Sequence, residues 1–455
     1  MRVTARRAAV LYALILAFLA GVLIFVSSLA INGAEWASHK SNRHLFRNGV
    51  MTNAGTVYDK NGIILAQSSD NERVYANNAT LRKSTLHVVG DTSGFISTGT
   101  HYLYRDILSG YSKIEGLYNL KQTGYGTDIT LNIDSEANKV AYKALGEFNG
   151  AVAVYNYKTG QLLCSVSKPS YDVEDRPQNL LTSENYSAVF LDKVVSGIYT
   201  PGSIMKIITA ASAIENIPDI YSKTFVCDGK YETKDGSVIC NGEHGEQDFV
   251  KAMNNSCNSA FAEISIELGS SKLQKTAESM GFNTQIYAKE IRLVTSRFNP
   301  DPDNDAELGW AGAGQSTTYV NPTHFLAIMG AIANGGTGYA PDRICSMGAF
   351  SKIMGRVPEK IISIEPETAS KLDELLRSNV KDKYGDWRFE NLQMCGKTGT
   401  AQIDNAKSHS WFAGYSQRED LPLAVVVIAE NGGSGMGVAT TVSNKVMQYF
   451  LVNGI

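Results

Sequence analysis

The 455-residue chain contains no His-Glu-x-x-His and no Cys-x-x-Cys, and its seven His and six Cys are scattered. A zinc enzyme and a dithiol redox protein are thereby disfavoured, and neither metal nor cofactor is expected. No Gly-x-Gly-x-x-Gly and no Gly-x-x-x-x-Gly-Lys-Ser/Thr loop occurs, which removes the usual nucleotide cradles. There is no basic excess: 42 Lys plus Arg stand against 45 Asp plus Glu. A nucleic-acid partner is therefore not expected. Internal repeats and extended low-complexity tracts are also absent. The length allows two or three domains, and 43% hydrophobic with 19% charged residues fits a folded chain.

From Ala8 to Ile31 no charged residue occurs, and Arg2, Arg6 and Arg7 precede the run. As a helix it is about 36 Å long, against a bilayer core of about 30 Å. Ser28-Leu29-Ala30 resembles a cleavage site, but the apolar run is longer than that of a signal peptide. The run is read as an uncleaved anchor over 8–31, with residues 1–7 as a cytoplasmic tail and the body outside the membrane. Lys40, Arg43 and Arg47 after the span nearly balance the arginines before it, so orientation rests on topology rather than charge. The sequence CDGKYETKDGSVIC reads as a hairpin whose ends, Cys227 and Cys240, are placed for a disulfide; whether they are bridged stays open. Cys164, Cys257, Cys345 and Cys395 read as small buried residues.

Residues 55–68 read as strand, Asn-Gly turn, strand, and 70–125 carry no long amphipathic helix. A strand and a helix capped by Asp134 or Ser135 follow over 128–148. The pattern changes at Gly150, where a hairpin turns on Lys158-Thr159-Gly160. Helices are expected near 203–216, 248–268, 321–333 and 367–380, then three strands and a closing helix over 439–452. The sum is an α+β fold, an antiparallel sheet covered by helices, over 150–455. A small, mostly β module over 32–149 precedes it.

Three short patterns each recur, so context must choose among their copies. Ser-x-x-Lys occurs at Ser165/Lys168, Ser203/Lys206 and Ser378/Lys381; Ser-x-Asn at Ser69/Asn71, Ser183/Asn185 and Ser256/Asn258; Lys-Thr-Gly at 158–160 and 397–399. Ser165 lies in a strand, where residues three apart face opposite ways. Ser203 instead follows a Pro-Gly turn and opens an apolar helix, which puts Lys206 one turn on along the same face. A helix N-terminus there favours a developing negative charge. Lys206 acts as a base only if burial and a second cation lower its pKa far below its ordinary value, and Lys397 is the obvious second cation. A plain helix cap and a solvated lysine are the alternative. Cys257 suggests a thiol nucleophile, but no base is implied beside it, since His244 is remote in sequence.

The ordered set Ser203-x-x-Lys206, Ser256-x-Asn258 and Lys397-Thr398-Gly399 resembles the penicillin-recognising serine transpeptidases. The longer blocks YTPGSIMKI, HGEQDFVKAMNNSCNSAF, WAGAGQSTTYVNPTHFLAIMGAIANGG, CGKTGTAQ and SHSWFAGY resemble class B penicillin-binding proteins over about 150–452. GTVYDKNGIILA is similar to the opening of their N-terminal module, although Ala54 and Lys60 stand where arginines are typical. The stretch before residue 150 is too short for a glycosyltransferase domain, which suggests a short class B form. The resemblance implies the penicillin-binding transpeptidase and serine β-lactamase fold. It implies Ser203 as nucleophile, Lys206 as its base and Ser256 as proton relay. Asn258 would hold the donor amide, Lys397 would tune the charge, and Thr398 and Thr400 would bind the substrate carboxylate beside Gly399. The backbone N–H groups of Ser203 and Thr400 would form the oxyanion hole. Peptidoglycan stem peptides, β-lactams and a membrane glycan polymerase of the shape, elongation, division and sporulation family are the implied partners. The rival readings are a D,D-carboxypeptidase or β-lactamase, and a non-enzymatic β-lactam sensor or division scaffold.

Overall fold

A computed structural model of the chain describes residues 2–39, 41–42, 46–47, 50–51, 54–70, 72–111, 126–348, 355–403 and 406–455. Lys40, Arg43 and Asn71, discussed above, lie outside them. Helix α1 (Arg2–Ala37) covers the expected span and continues past both ends. By length and composition it is sufficient to cross a membrane.

The N-terminal module is built on the expected hairpin. Strands β1 (Val57–Tyr58) and β2 (Ile64–Ser69) are antiparallel. In the turn between them the Asp59 carboxylate accepts from the N–H groups of Asn61 and Ile63, at 2.8 Å each. Strand β3 (Glu72–Tyr75) extends β2, and β4 (Ile129–Leu131) lies parallel to β1. The fifth strand of this sheet, Ile344–Met347, comes from far downstream and pairs with β4. Residue 150 therefore does not divide the two sheets. A helix that the sequence reading lacked, α2 (Ala79–Val89), covers the module. Its N-cap Asn78 accepts from the Leu81 N–H at 3.0 Å, and Leu81, Leu86, Val88 and Val89 are buried. Ser, Thr, Lys and Arg in ATLRKSTLHVV hide that apolar stripe, so the module is mixed α/β rather than mostly β. Helix α3 (Ser135–Ala144) then starts on Asp134, whose carboxylate accepts from two first-turn N–H groups.

Downstream come the hairpin β5 (Gly150–Asn156) and β6 (Leu162–Lys168), then a long hairpin β7 (Thr224–Thr233) and β8 (Gly236–Asp248). Strands β9 (Met394–Ile403), β10 (Ala406–Ser416) and β11 (Leu423–Ala429) follow near the end. The main sheet has the order β9-β10-β11-β5-β6, antiparallel throughout. Strands such as LAVVVIA are buried on both faces, which explains their unbroken apolar run. Ala151, Ala153, Tyr155, Trp411 and Val426 face α8 (Pro322–Ala333) and its neighbours. The alternate residues Val152, Val154, Phe412 and Val425 face α3 and α10 (Val438–Asn453).

The structure answers the pairing of Cys227 with Cys240, which the sequence left open, and corrects the burial expected of Cys345. In the β7–β8 hairpin Ile239 pairs with Lys230, but the next pairs are Glu243 with Asp228 and Gly245 with Cys227. Cys240 thus falls in a bulge and does not stand opposite Cys227, and the six cysteines are free thiols. Cys345, expected to be buried, is exposed.

Strand β6 is an edge of the main sheet, and Asn138 on α3 satisfies part of it. Its Nδ2 donates to the Ser165 carbonyl at 2.9 Å and to the Ser84 carbonyl of α2 at 3.1 Å, while its Oδ1 accepts from the Ser165 N–H at 2.9 Å. Asn138→Ala leaves these buried groups unpaired and should lower the unfolding free energy by about 2–4 kcal/mol, at roughly 1–3 kcal/mol per orphaned group. The shift of the urea midpoint measures it, and an unchanged midpoint contradicts the assignment.

Candidate active site

The free edge of β9 faces a turn rather than another strand. Gly202–Met205 form a single 3-10 turn that runs into α4 (Lys206–Asn216). Side chains three apart eclipse in a 3-10 turn, which is tighter than the α-helical spacing expected. Lys206 Nζ accordingly lies 2.9 Å from Ser203 Oγ. The turn is held by two close backbone approaches. Gly202 has φ +57 and donates to the Gly314 carbonyl at 2.9 Å. Gly314 ends α7 (Asp305–Ala313) with φ +96, and a Cβ there would come within 1.9 Å of the Gly202 carbonyl oxygen.

Ser256 and Asn258 reach the same place through the break between α5 (Phe249–Asn254) and α6 (Asn258–Ser279). Ser256 has φ +55, a left-handed conformation that a side-chain-bearing residue adopts only where its surroundings hold it. Asn258 is held at both ends of its amide: Oδ1 accepts from Lys206 Nζ at 2.8 Å, and Nδ2 donates to the Ile239 carbonyl of β8 at 3.0 Å. From β9, Lys397 Nζ donates to Ser256 Oγ at 2.8 Å. Gly399 keeps β9 close to the turn, since a Cβ would lie 2.7 Å from the Pro201 carbonyl oxygen.

Both lysines are wholly buried. Burial first, and then the Lys397 charge, together bring Lys206 down to about 7. Burial alone brings Lys397 to about 7. A buried amine of that pKa in contact with a hydroxyl can take up its proton near neutrality.

A cavity of about 420 Å³ opens beside these groups, with Ser203, Asn258 and Thr400 in its wall. Lys206, Ser256 and Lys397 are not part of its wall. Thr400 Oγ1 accepts from the Gly435 N–H at 3.2 Å. Thr398 is turned differently: its Oγ1 donates to Tyr384 Oη at 3.2 Å and it does not line the cavity. The sequence reading missed Tyr384, which also lies 3.4 Å from Lys397 Nζ. It missed Asn241, Trp310, Gln315 and Gln402 in the wall as well. Trp310 and Gln315 stood inside a quoted block, whereas Tyr384 lay in no motif.

The other copies of the short patterns are built into local structure. Ser165 and Lys168 are in β6, and the Lys158-Thr159-Gly160 turn folds on Asn156, whose Oδ1 accepts from the Lys158 N–H at 2.9 Å. Ser378 Oγ donates to Asp382 at 2.9 Å at the end of α9 (Pro366–Ser378).

A sheet edge, a serine turn and two buried lysines meet at one place within a helix-covered antiparallel fold. The chain belongs to the penicillin binding protein transpeptidase family, whose transpeptidase domain it matches over residues 150–448. It is 26% identical to the peptidoglycan D,D-transpeptidase PbpA of Mycobacterium tuberculosis over 342 residues, 68% of either chain. It is 29% identical to stage V sporulation protein D of Bacillus subtilis over 337 residues, 67% of this chain and 50% of that one. Among solved structures, the D,D-transpeptidase domain of a peptidoglycan glycosyltransferase from Eggerthella lenta superposes with a TM-score of 0.76 at 25% identity, covering 89% of this chain and 99% of that one.

The Gly202–Gly314 approach leaves no space for a side chain. Gly314→Ala adds backbone overlap to a left-handed conformation that by itself costs about 1–2 kcal/mol. The variant should unfold at clearly lower urea concentration than the parent chain; equal midpoints would show that the turn relaxes freely.

Proposed function

We propose that the chain is a membrane-anchored peptidoglycan D,D-transpeptidase that works through an acyl-enzyme on Ser203. The observation that carries this reading is the wholly buried Lys206, of pKa about 7, at 2.9 Å from Ser203 Oγ. The family membership and the relatives' names support the substrate class. Ser203 Oγ attacks the carbonyl of the penultimate D-alanine of a stem peptide while Lys206 takes its proton. The N–H groups of Ser203 and Thr400 receive the oxyanion. Ser256, on the Lys397 side, relays a proton to the leaving amine, and the terminal D-alanine departs. The ester is resolved by an amine of a neighbouring stem peptide, which forms the cross-link and restores the Ser203 hydroxyl.

Asn258 holds the donor amide and Thr400 the carboxylate. Thr398 joins Thr400 once its hydroxyl turns from Tyr384, and Gly399 lets the donor lie along the open edge of β9. A β-lactam enters as a donor mimic whose acyl group stays on Ser203. Helix α1 is the anchor, and the body lies outside the membrane beside its substrate. The partner we assign is a membrane glycan polymerase of the shape, elongation, division and sporulation family.

Exposure of the full chain to fluorescent penicillin, followed by intact mass and peptide mapping, should place a stable adduct on Ser203. Ser203→Ala should abolish it without lowering the thermal midpoint. An adduct lost within seconds would instead favour a β-lactamase, and a folded chain that takes no label would favour a sensor or scaffold.

A further inference from the structure

The bulge that separates Cys240 from Cys227 brings it to another partner. Cys240 Sγ lies 3.8 Å from Cys257 Sγ, and His244 Nδ1 lies 3.4 Å from Cys227 Sγ and 3.5 Å from Cys240 Sγ. All four ligand atoms fall within 4.8 Å of one another. The three thiols are buried and His244 is half-buried. Zinc–sulfur bonds of about 2.3 Å and zinc–nitrogen bonds of about 2.0–2.1 Å at tetrahedral angles place sulfurs about 3.8 Å apart and sulfur about 3.6 Å from nitrogen. These three spacings match the ligand shell itself, and the 3.8 Å between Cys240 and Cys257 is too long for a disulfide, whose sulfurs sit about 2.05 Å apart.

We propose that Cys227, Cys240, His244 and Cys257 bind one Zn²⁺ as a closed tetrahedral site that fixes the Ser256–Asn258 turn to the β7–β8 hairpin. Three thiolates and an imidazole are the soft donor set zinc takes in structural sites, and four protein ligands leave no position open for a reacting water. Binding displaces three thiol protons to solvent. Donors for the resulting thiolates are already aimed: the Asn258 N–H points at Cys240 Sγ at 3.2 Å, and the Ala260 N–H at Cys257 Sγ at 3.4 Å. Outer contacts of this kind orient ligands in metal sites. Cys257 stands between Ser256 and Asn258, and Cys240 follows Ile239, whose carbonyl holds the Asn258 amide. The ion would therefore hold the left-handed Ser256 conformation and the Asn258 amide in place. The ligand spacing, Cys-x12-Cys-x3-His-x12-Cys, is too wide for the usual zinc signatures, which is why no motif flagged it.

The test uses the full chain in detergent, purified without reductant or chelator, loaded with Zn²⁺ and desalted. Inductively coupled plasma mass spectrometry should find one zinc per chain, and Co²⁺ in its place should give the visible bands of a tetrahedral, sulfur-rich site. Cys240→Ser and His244→Ala should lose the metal, while Cys395→Ala, a buried thiol outside the cluster, should keep it. Because those variants can fold poorly, the unaltered chain carries the functional arm. Stripping its zinc should slow penicillin labelling by about tenfold or more through misplacement of the turn, with unchanged circular dichroism, and added Zn²⁺ should restore the rate. A folded chain with no stoichiometric zinc, or with two of the three cysteines joined in a disulfide, overturns the site. Zinc content without the rate change overturns its hold on the turn. Metal content is read independently of Ser203 chemistry, so failure here and failure of the transpeptidase reading are distinguishable.

Discussion

Two lysines buried in one site without a carboxylate set the terms for everything around them. Lys206 and Lys397 bond to hydroxyls, an amide and a backbone carbonyl, and among the described residues neither forms an ion pair. Elsewhere in the chain a buried lysine meets an acid, as Lys193 does with Glu430. An unpaired ammonium out of water is costly, so the equilibrium moves toward the neutral amine. That same shift suits Lys206 to the proposed role of a base at neutral pH.

The fold can be understood as the means of keeping those lysines dry and aimed. The main sheet is buried on both faces, so β9 is a rigid rail for Lys397 and Gly399. The 3-10 turn, pinned at Gly202 and Gly314, fixes Ser203 against Lys206. The third wall comes from the α5–α6 break, where a left-handed Ser256 is held from the hairpin side. Each wall comes from a different stretch of chain, and none of them closes the site alone.

Much of this was legible in the sequence because it follows from local periodicity. The hairpin at Gly150, the late strands and the helix opening at Ser203 showed themselves through alternation, turn residues and an apolar face. What escaped depended on tertiary partners. The strand Ile344–Met347 is too short to announce that it completes the N-terminal sheet, and α2 carries its apolar stripe under polar residues. Tyr384 sits in a segment of π-helical turns with no motif, yet it touches Lys397 and Thr398. The three residues around Cys257 are two single cysteines and a histidine until a three-residue bulge brings them together. His244, set aside for its distance in sequence, is among them.

To receive the Ser203 proton, Lys206 must be a neutral amine over part of the physiological range. Nuclear magnetic resonance titration of chain labelled with ¹³C at lysine Cε tests it directly, with the signal assigned by its absence from Lys206→Arg. The predicted midpoint is about 7, set first by burial and then by Lys397. Replacing the second cation by Lys397→Met should move that midpoint up, since a like charge no longer disfavours the ammonium. A Lys206 midpoint near the ordinary 10.5 would contradict the account, because the amine would then be protonated and unable to receive the Ser203 proton at neutral pH.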